Sequence, residues 1–170
     1  MASTINQPET GASGPEKAAT CVAERGTPCH PHHFLSRSIL GGAAGTAAIT
    51  LMMYFVAPVM TGRAMDIARL LGSMLGGSWL AGMAMHVMLG TIVFPLVYAF
   101  VIYDVLPGGP VLKGIAWGAT LWLLAQVVVM PMMGAGLFSA NAGGPMAAMG
   151  SLMGHAIYGA LLGSITGSVK

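Results

Sequence analysis

Residues 78–103 read SWLAGMAMHVMLGTIVFPLVYAFVIY, a run without Asp, Glu, Lys or Arg that holds a single histidine, His86. A helix rises about 1.5 Å per residue and needs roughly 20 apolar residues to cross a hydrocarbon layer about 30 Å thick. This run meets that length. Trp79 and Tyr103 stand at its two ends, where an amphipathic ring stays half wet. Three further runs of the same kind occupy 38–60, 111–133 and 146–168. Helix terminators separate them: Thr61-Gly62-Arg63, then Pro107-Gly108-Gly109-Pro110, then Gly134 to Pro145 with Asn141, Gly143 and Gly144. The expected fold is an all-α membrane protein, a four-transmembrane-helix bundle.

The rest of the composition agrees. Of 170 residues 55% are hydrophobic and 7% charged, with a mean hydropathy of +0.76, whereas soluble domains carry roughly 25% charged residues. Half of the charges (Glu9, Glu16, Lys17, Glu24, Arg25, Arg37) fall in a polar N-terminal tail, 1–37, and only Arg63, Asp66, Arg69, Asp104 and Lys113 lie between Ser38 and Val169. That distribution excludes a soluble enzyme, a nucleic-acid binder with a basic face and a disulfide-stapled secreted module. Basic residues near span ends favour cytoplasmic N- and C-termini: Lys17, Arg25, Arg37, Lys113 and Lys170 inside against Arg63 and Arg69 outside. The expected location is a bacterial inner membrane.

Between the first two spans Ile67, Leu70, Leu71, Met74 and Leu75 recur at helical spacing within 66–75. Ten residues do not cross a bilayer. The expectation is a short interfacial helix with Arg63, Asp66 and Arg69 toward water, a packed re-entrant piece being the alternative.

Laying the third span on the first at one constant offset matches Gly41-x-x-x-Gly45 and Pro58 with Gly114-x-x-x-Gly118 and Pro131, and Ala43, Leu51, Val56 and Met60 with Ala116, Leu124, Val129 and Met133. The second and fourth spans align through His86-x-x-x-Gly90 and His155-x-x-x-Gly159. The domain therefore reads as a duplicated two-helix hairpin whose halves run in parallel. Glycines at this spacing permit close helix approach, so the first and third spans are expected to touch through Gly41, Gly45, Gly114 and Gly118. Pro58 and Pro131 are expected to kink and splay the opposite ends.

An imidazole inside a span raises a functional question. Duplication makes His86 and His155 symmetry mates at similar depth, with small neighbours Gly82, Ala84, Gly154 and Ala156. Two neutral imidazoles facing across a bundle suit axial ligation of a haem b. The same pattern suits a structural hydrogen bond to a backbone carbonyl, Gln126 or Tyr158, or another ligand such as a metal ion or a quinone headgroup. Fifteen methionines raise a copper reading, against their ordinary use as flexible filler. In the tail Cys29, His30, His32 and His33 form a weak metal-binding tract without strict zinc spacing. No nucleophile triad, paired carboxylates, phosphate loop or HExxH motif is present, so no enzyme is expected.

Met65-Asp66, Leu71-Gly72-Ser73-Met74-Leu75-Gly76, His86-x-x-x-Gly90, Leu121-Trp122-Leu123, Met130-Pro131-Met132-Met133-Gly134 and Gly154-His155-x-x-Tyr158-Gly159 together resemble a family of small four-helix bacterial membrane proteins classed as a domain of unknown function. The resemblance spans about Ile39 to Gly167 and implies no established activity. The leading expectation is a non-catalytic accessory subunit that packs against a larger electron-transfer membrane complex, with lipid and other membrane subunits as partners, the N-terminal tail as a contact and haem b between His86 and His155 as a candidate cofactor. A small oligomeric carrier or channel lined by His86, His155 and Gln126, and a copper-handling protein, are the alternatives.

Overall fold

The computed structural model describes residues 31–62 and 65–167, with only the backbone described for residues 31–33, 60 and 61. Five helices make up the fold: α1 (31–61), α2 (Ile67–Ser73), α3 (Trp79–Val105), α4 (Pro110–Met132) and α5 (Gly144–Gly167). All but α2 contain a stretch long and apolar enough to cross a membrane. No strand occurs among the described residues. The helix ends follow local chemistry. The Asp66 carboxylate accepts from the Arg69 N–H (3.0 Å) and the Ser78 hydroxyl from the Ala81 N–H (3.3 Å), capping α2 and α3. Pro110 opens α4, where its missing N–H costs nothing, and Gly62 ends α1 in the left-handed region (φ 75). Helix α1 begins at Pro31, seven residues before the expected span, so the end of the polar tail is helical; residues 1–30 lie outside the described part.

Helix α5 is the most enclosed span, with 44% of its apolar window buried against 22% for α3. Its small residues explain this. A Cβ on Gly114 would fall on the Gly159 carbonyl, one on Gly159 on the Gly114 carbonyl, and one on Gly118 on the His155 carbonyl, so α4 and α5 meet backbone to backbone. On α1, Gly41 faces Leu162 and Gly45 faces Tyr158. All four glycines thus pack on α5, not on one another as the sequence reading expected. Because α5 carries Gly154 toward Ile49 and Gly159 and Gly163 toward α4, it accepts a neighbour on either side. The apolar core gathers at the same place, with Tyr98, Trp117, Leu121, Tyr158 and Leu162 in one buried cluster.

At the prolines the backbone departs from the regular α-helix. Each is preceded by one widened, π-helical turn: Met52–Val56 before Pro58, Leu89–Val93 before Pro95, Ala125–Val129 before Pro131. In each case the residue just before the proline donates its N–H five residues back, Ala57 to Met52, Phe94 to Leu89 and Met130 to Ala125. A proline ring clashes with the carbonyl four residues back and offers no N–H; widening the preceding turn moves that carbonyl aside. A fourth such turn, Tyr98–Ile102, has no proline after it. The turns in α1 and α4 fall at the same offset as the repeated glycines and prolines, so the duplicated pattern extends to backbone geometry.

A widened turn followed by a proline strands a carbonyl. Met53 and Gly90 lose their usual donors, since the residue four on has turned to another acceptor and the residue five on is proline. Both carbonyls are taken by other elements: Met53 accepts from the Met65 N–H ahead of α2 at 3.3 Å, and Gly90 from the Tyr158 hydroxyl of α5 at 2.7 Å.

Candidate functional site: a histidine-lined cavity

The widened turns surround a cavity of about 130 Å³. Met53 of α1, Leu89 and Gly90 of α3, and Ala125 and Val129 of α4 all lie within those turns and all line it. Uninterrupted α5 supplies Ser151, His155 and Tyr158, and Ile67 and Leu71 of α2 close one side. Ile67 and Leu71 therefore face protein, packing with Met53 and, more peripherally, Met85, Val129 and Met133, while Met74 and Leu75 at the end of the same stripe are exposed. The expected interfacial helix is in this respect a packed piece, because Gly72 and Gly82 let α2 and α3 approach so closely that a Cβ on Gly82 would fall on the Ala68 carbonyl. Arg69 does point to water, with 84% of its side chain exposed.

Both span histidines line this cavity. His155 Nδ1 lies 2.8 Å from the Ser151 carbonyl one turn earlier. A carbonyl only accepts, so Nδ1 carries the proton and Nε2 keeps a lone pair. His86 Nε2 lies 3.0 Å from the Thr50 hydroxyl of α1, and that hydroxyl donates to the Thr46 carbonyl at 2.7 Å. With its proton spent there, Thr50 accepts from His86 Nε2–H, and the lone pair of His86 is on Nδ1. The two neutral rings thus each retain one acceptor nitrogen.

Of the partners expected for the two histidines, a backbone carbonyl, Gln126 or Tyr158, the structure gives His155 a backbone carbonyl, that of Ser151 on its own helix, and gives His86 the Thr50 hydroxyl instead. Ser151 stands four residues before His155 on the same helix, a spacing that signals the bond, whereas Thr50 reaches His86 across helices and leaves no local signature. Tyr158 lines the cavity with its hydroxyl on Gly90. Gln126 lies apart from the cavity, fully buried, its Oε1 accepting from Ser139 at 2.9 Å and its Nε2 without a partner. Within the single chain Gln126 and the two histidines do not line one cavity. Ser139 and Phe138 are held at positive φ (58 and 49), which brings the Ser139 hydroxyl inward to meet it.

Outside the spans one carboxylate ties three elements together. Asp66 accepts from the Tyr54 hydroxyl at 2.9 Å, from Trp79 Nε1 at 3.1 Å and from the Arg69 backbone, with the Arg69 guanidinium 3.7 Å away. Partial burial alone would push its carboxyl up, but those hydrogen bonds and the Arg69 charge outweigh it and hold the group below the usual carboxylate range. It is a clip at the water-facing edge, still partly exposed as expected.

Of the tail tract, Cys29 and His30 lie outside the described residues, and His32 and His33 are described only as backbone in the first turn of α1. Among the described residues no group of three or more His, Cys, Asp or Glu comes together to hold a metal.

Residues 33–170 match DUF6789, a family of unknown function. The chain belongs to that family. No curated protein and no solved structure matches it. The match begins two residues into α1 and takes in every span, both histidines and all three prolines of the widened turns, so the histidine cavity lies wholly within the DUF6789 region.

Proposed function

We propose that this DUF6789 protein is a non-catalytic, integral-membrane accessory subunit that seats against a larger electron-transfer complex and holds a redox-active ligand beside His86 and His155. The observation that carries it is the convergence of two neutral imidazoles, each with a free acceptor nitrogen, on one cavity walled by widened helical turns. Such turns are uncommon and concentrate at functional sites. An apolar cavity with a few convergent polar groups is the usual form of a ligand site. His155 Nε2 and His86 Nδ1 are the kind of nitrogens that haem b takes, but about 130 Å³ holds one aromatic ring and not the macrocycle, so a smaller ligand fits this cavity better. We place the protein in a bacterial inner membrane with both termini cytoplasmic, on the basic residues near its span ends, and take the tail as the contact for a partner.

Purification of the untagged complex in mild detergent, with a reduced-minus-oxidised visible spectrum, tests this. Co-purifying membrane subunits are expected; a b-type band near 560 nm lost in a His86→Ala, His155→Ala variant identifies haem. A chain that purifies alone and colourless overturns the reading. Copper handling has one specific support, since the thioether residues Met53 and Met130 line the same cavity as the imidazoles and that donor set suits Cu(I). Metal analysis showing less than one copper per chain overturns it.

A further inference from the structure

We infer that the cavity takes the reduced, hydroxyl-bearing ring of a lipid-soluble quinol and discriminates against the oxidised quinone. This deepens the proposed function and rests on the same reading of the cavity as a ligand site. Three observations lead to it. The first is size. An apolar protein cavity of about 150 Å³ takes one benzene, and at about 130 Å³ this one matches a single ring and not a macrocycle.

The second is the wall. Ile49, Leu71, Leu89, Phe94, Leu121 and Val129 present hydrocarbon to the flat faces of a ring. Among the described residues no charged side chain lines the cavity, which disfavours an ionic ligand because burying an unpaired charge costs far more than apolar packing returns. The molecule it fits is uncharged, aromatic and soluble in lipid.

The third is the polarity of the two imidazoles. The Ser151 carbonyl fixes the proton of His155 on Nδ1, and the Thr46 carbonyl, acting through Thr50, fixes that of His86 on Nε2. Both nitrogens left over are acceptors, against one hydroxyl donor on the same wall, Ser151, whose oxygen lies 3.4 Å from His155 Nδ1. A quinol brings two O–H donors; a quinone brings two carbonyls that only accept and would face lone pairs. Hydrogen-bonding sites reject a ligand that leaves their buried polar groups unpaired more strongly than an apolar wall rejects a change of size. Preference for the reduced form is therefore set by two backbone carbonyls that touch no ligand, and Thr50 is a positioning residue in this scheme.

The test is equilibrium dialysis of the full-length protein in detergent micelles against protein-free micelles, without oxygen, using unsubstituted hydroquinone, 1,4-benzoquinone and benzene. We expect the quinol to bind at least about tenfold more tightly than the quinone, the equivalent of one good hydrogen bond, and more tightly than benzene. Thr50→Val frees the His86 proton to change nitrogen and is expected to lower the quinol-to-quinone ratio several-fold while leaving benzene binding in place, an effect that loss of packing would not produce. His155→Phe is expected to abolish quinol binding; should it fail to fold, the native ratio and Thr50→Val still decide. Equal affinity for quinol and quinone, benzene binding as well as quinol, or no binding by folded protein overturns the inference. Selective quinol binding by a chain that purifies without partners overturns the accessory-subunit reading alone, and a partnered complex that binds neither ring overturns this one alone.

Discussion

The Tyr158 hydroxyl meets the Gly90 carbonyl at 2.7 Å, and it does so where the α3 backbone has no donor of its own left to give. Phe94 has turned to Leu89 and Pro95 has no N–H. The bond joins α5 to α3 beside the cavity. Tyr158→Phe leaves a buried carbonyl unpaired, and we expect a loss of about 1–3 kcal/mol, read as a lower midpoint of thermal unfolding in detergent. A midpoint within error of the native protein would mean that Gly90 finds another donor.

The α4–α5 crossing has no space for a methyl group. Gly114→Ala drives a Cβ into the Gly159 carbonyl and must part the helices, at a cost of about 1–3 kcal/mol. Gly150→Ala, on the same α5 but with nothing within 4 Å of its Cβ, is expected to be neutral or to stabilise by up to about 1 kcal/mol. Unfolding midpoints of the two variants, measured side by side, check the pair; equal effects would contradict the packing described.

Asp66 ties stability to acid pH. Its carboxyl titrates below the usual range in the folded chain, so its contribution is present in full above the ordinary carboxylate value and is lost as pH falls through the lower, folded value. Native protein should lose unfolding midpoint between about pH 5 and pH 3, and Asp66→Asn should lie lower at neutral pH and fall less over that interval. Parallel curves for the two proteins would exclude a role for the clip.

Gln126 and Ser139 form an isolated polar pair with one amide donor unsatisfied. Removing either alone strands its partner, so Gln126→Leu or Ser139→Ala is expected to cost about 1–3 kcal/mol. The double variant should cost less than the sum, since removing both partners of a buried bond can be nearly neutral. Additive losses in a double-mutant cycle would show that the pair is uncoupled.

How much of this was legible beforehand depended on whether a property is local. The spans were legible because length without charge is counted along one chain. His86 and His155 were legible because an imidazole in an apolar run is conspicuous wherever its helix packs. That Gly41, Gly45, Gly114 and Gly118 would be packing positions was also legible, but not that all four face α5, because the rotation of a helix is set by every neighbour at once. Asp66 shows the same limit: its charge suggested water, while its partners Tyr54 and Trp79 come from two other elements. Pro58 and Pro131 were read as kinks. The chain answered them with an extra residue in the preceding turn, a choice between two remedies for one clash that the residue types alone do not decide.

That extra residue also resets the helix that carries it. One residue advances an α-helix by about 100°, so a turn that holds one more than its share rotates every side chain beyond it onto another face. The turns at Met52–Val56 and Ala125–Val129 do this at equivalent places in the repeated pattern. The turns at Leu89–Val93 and Tyr98–Ile102 have no counterpart in α5, which runs unbroken from Gly144–Gly167. The second and fourth spans differ there, one helix staying regular while the other forms the irregular wall.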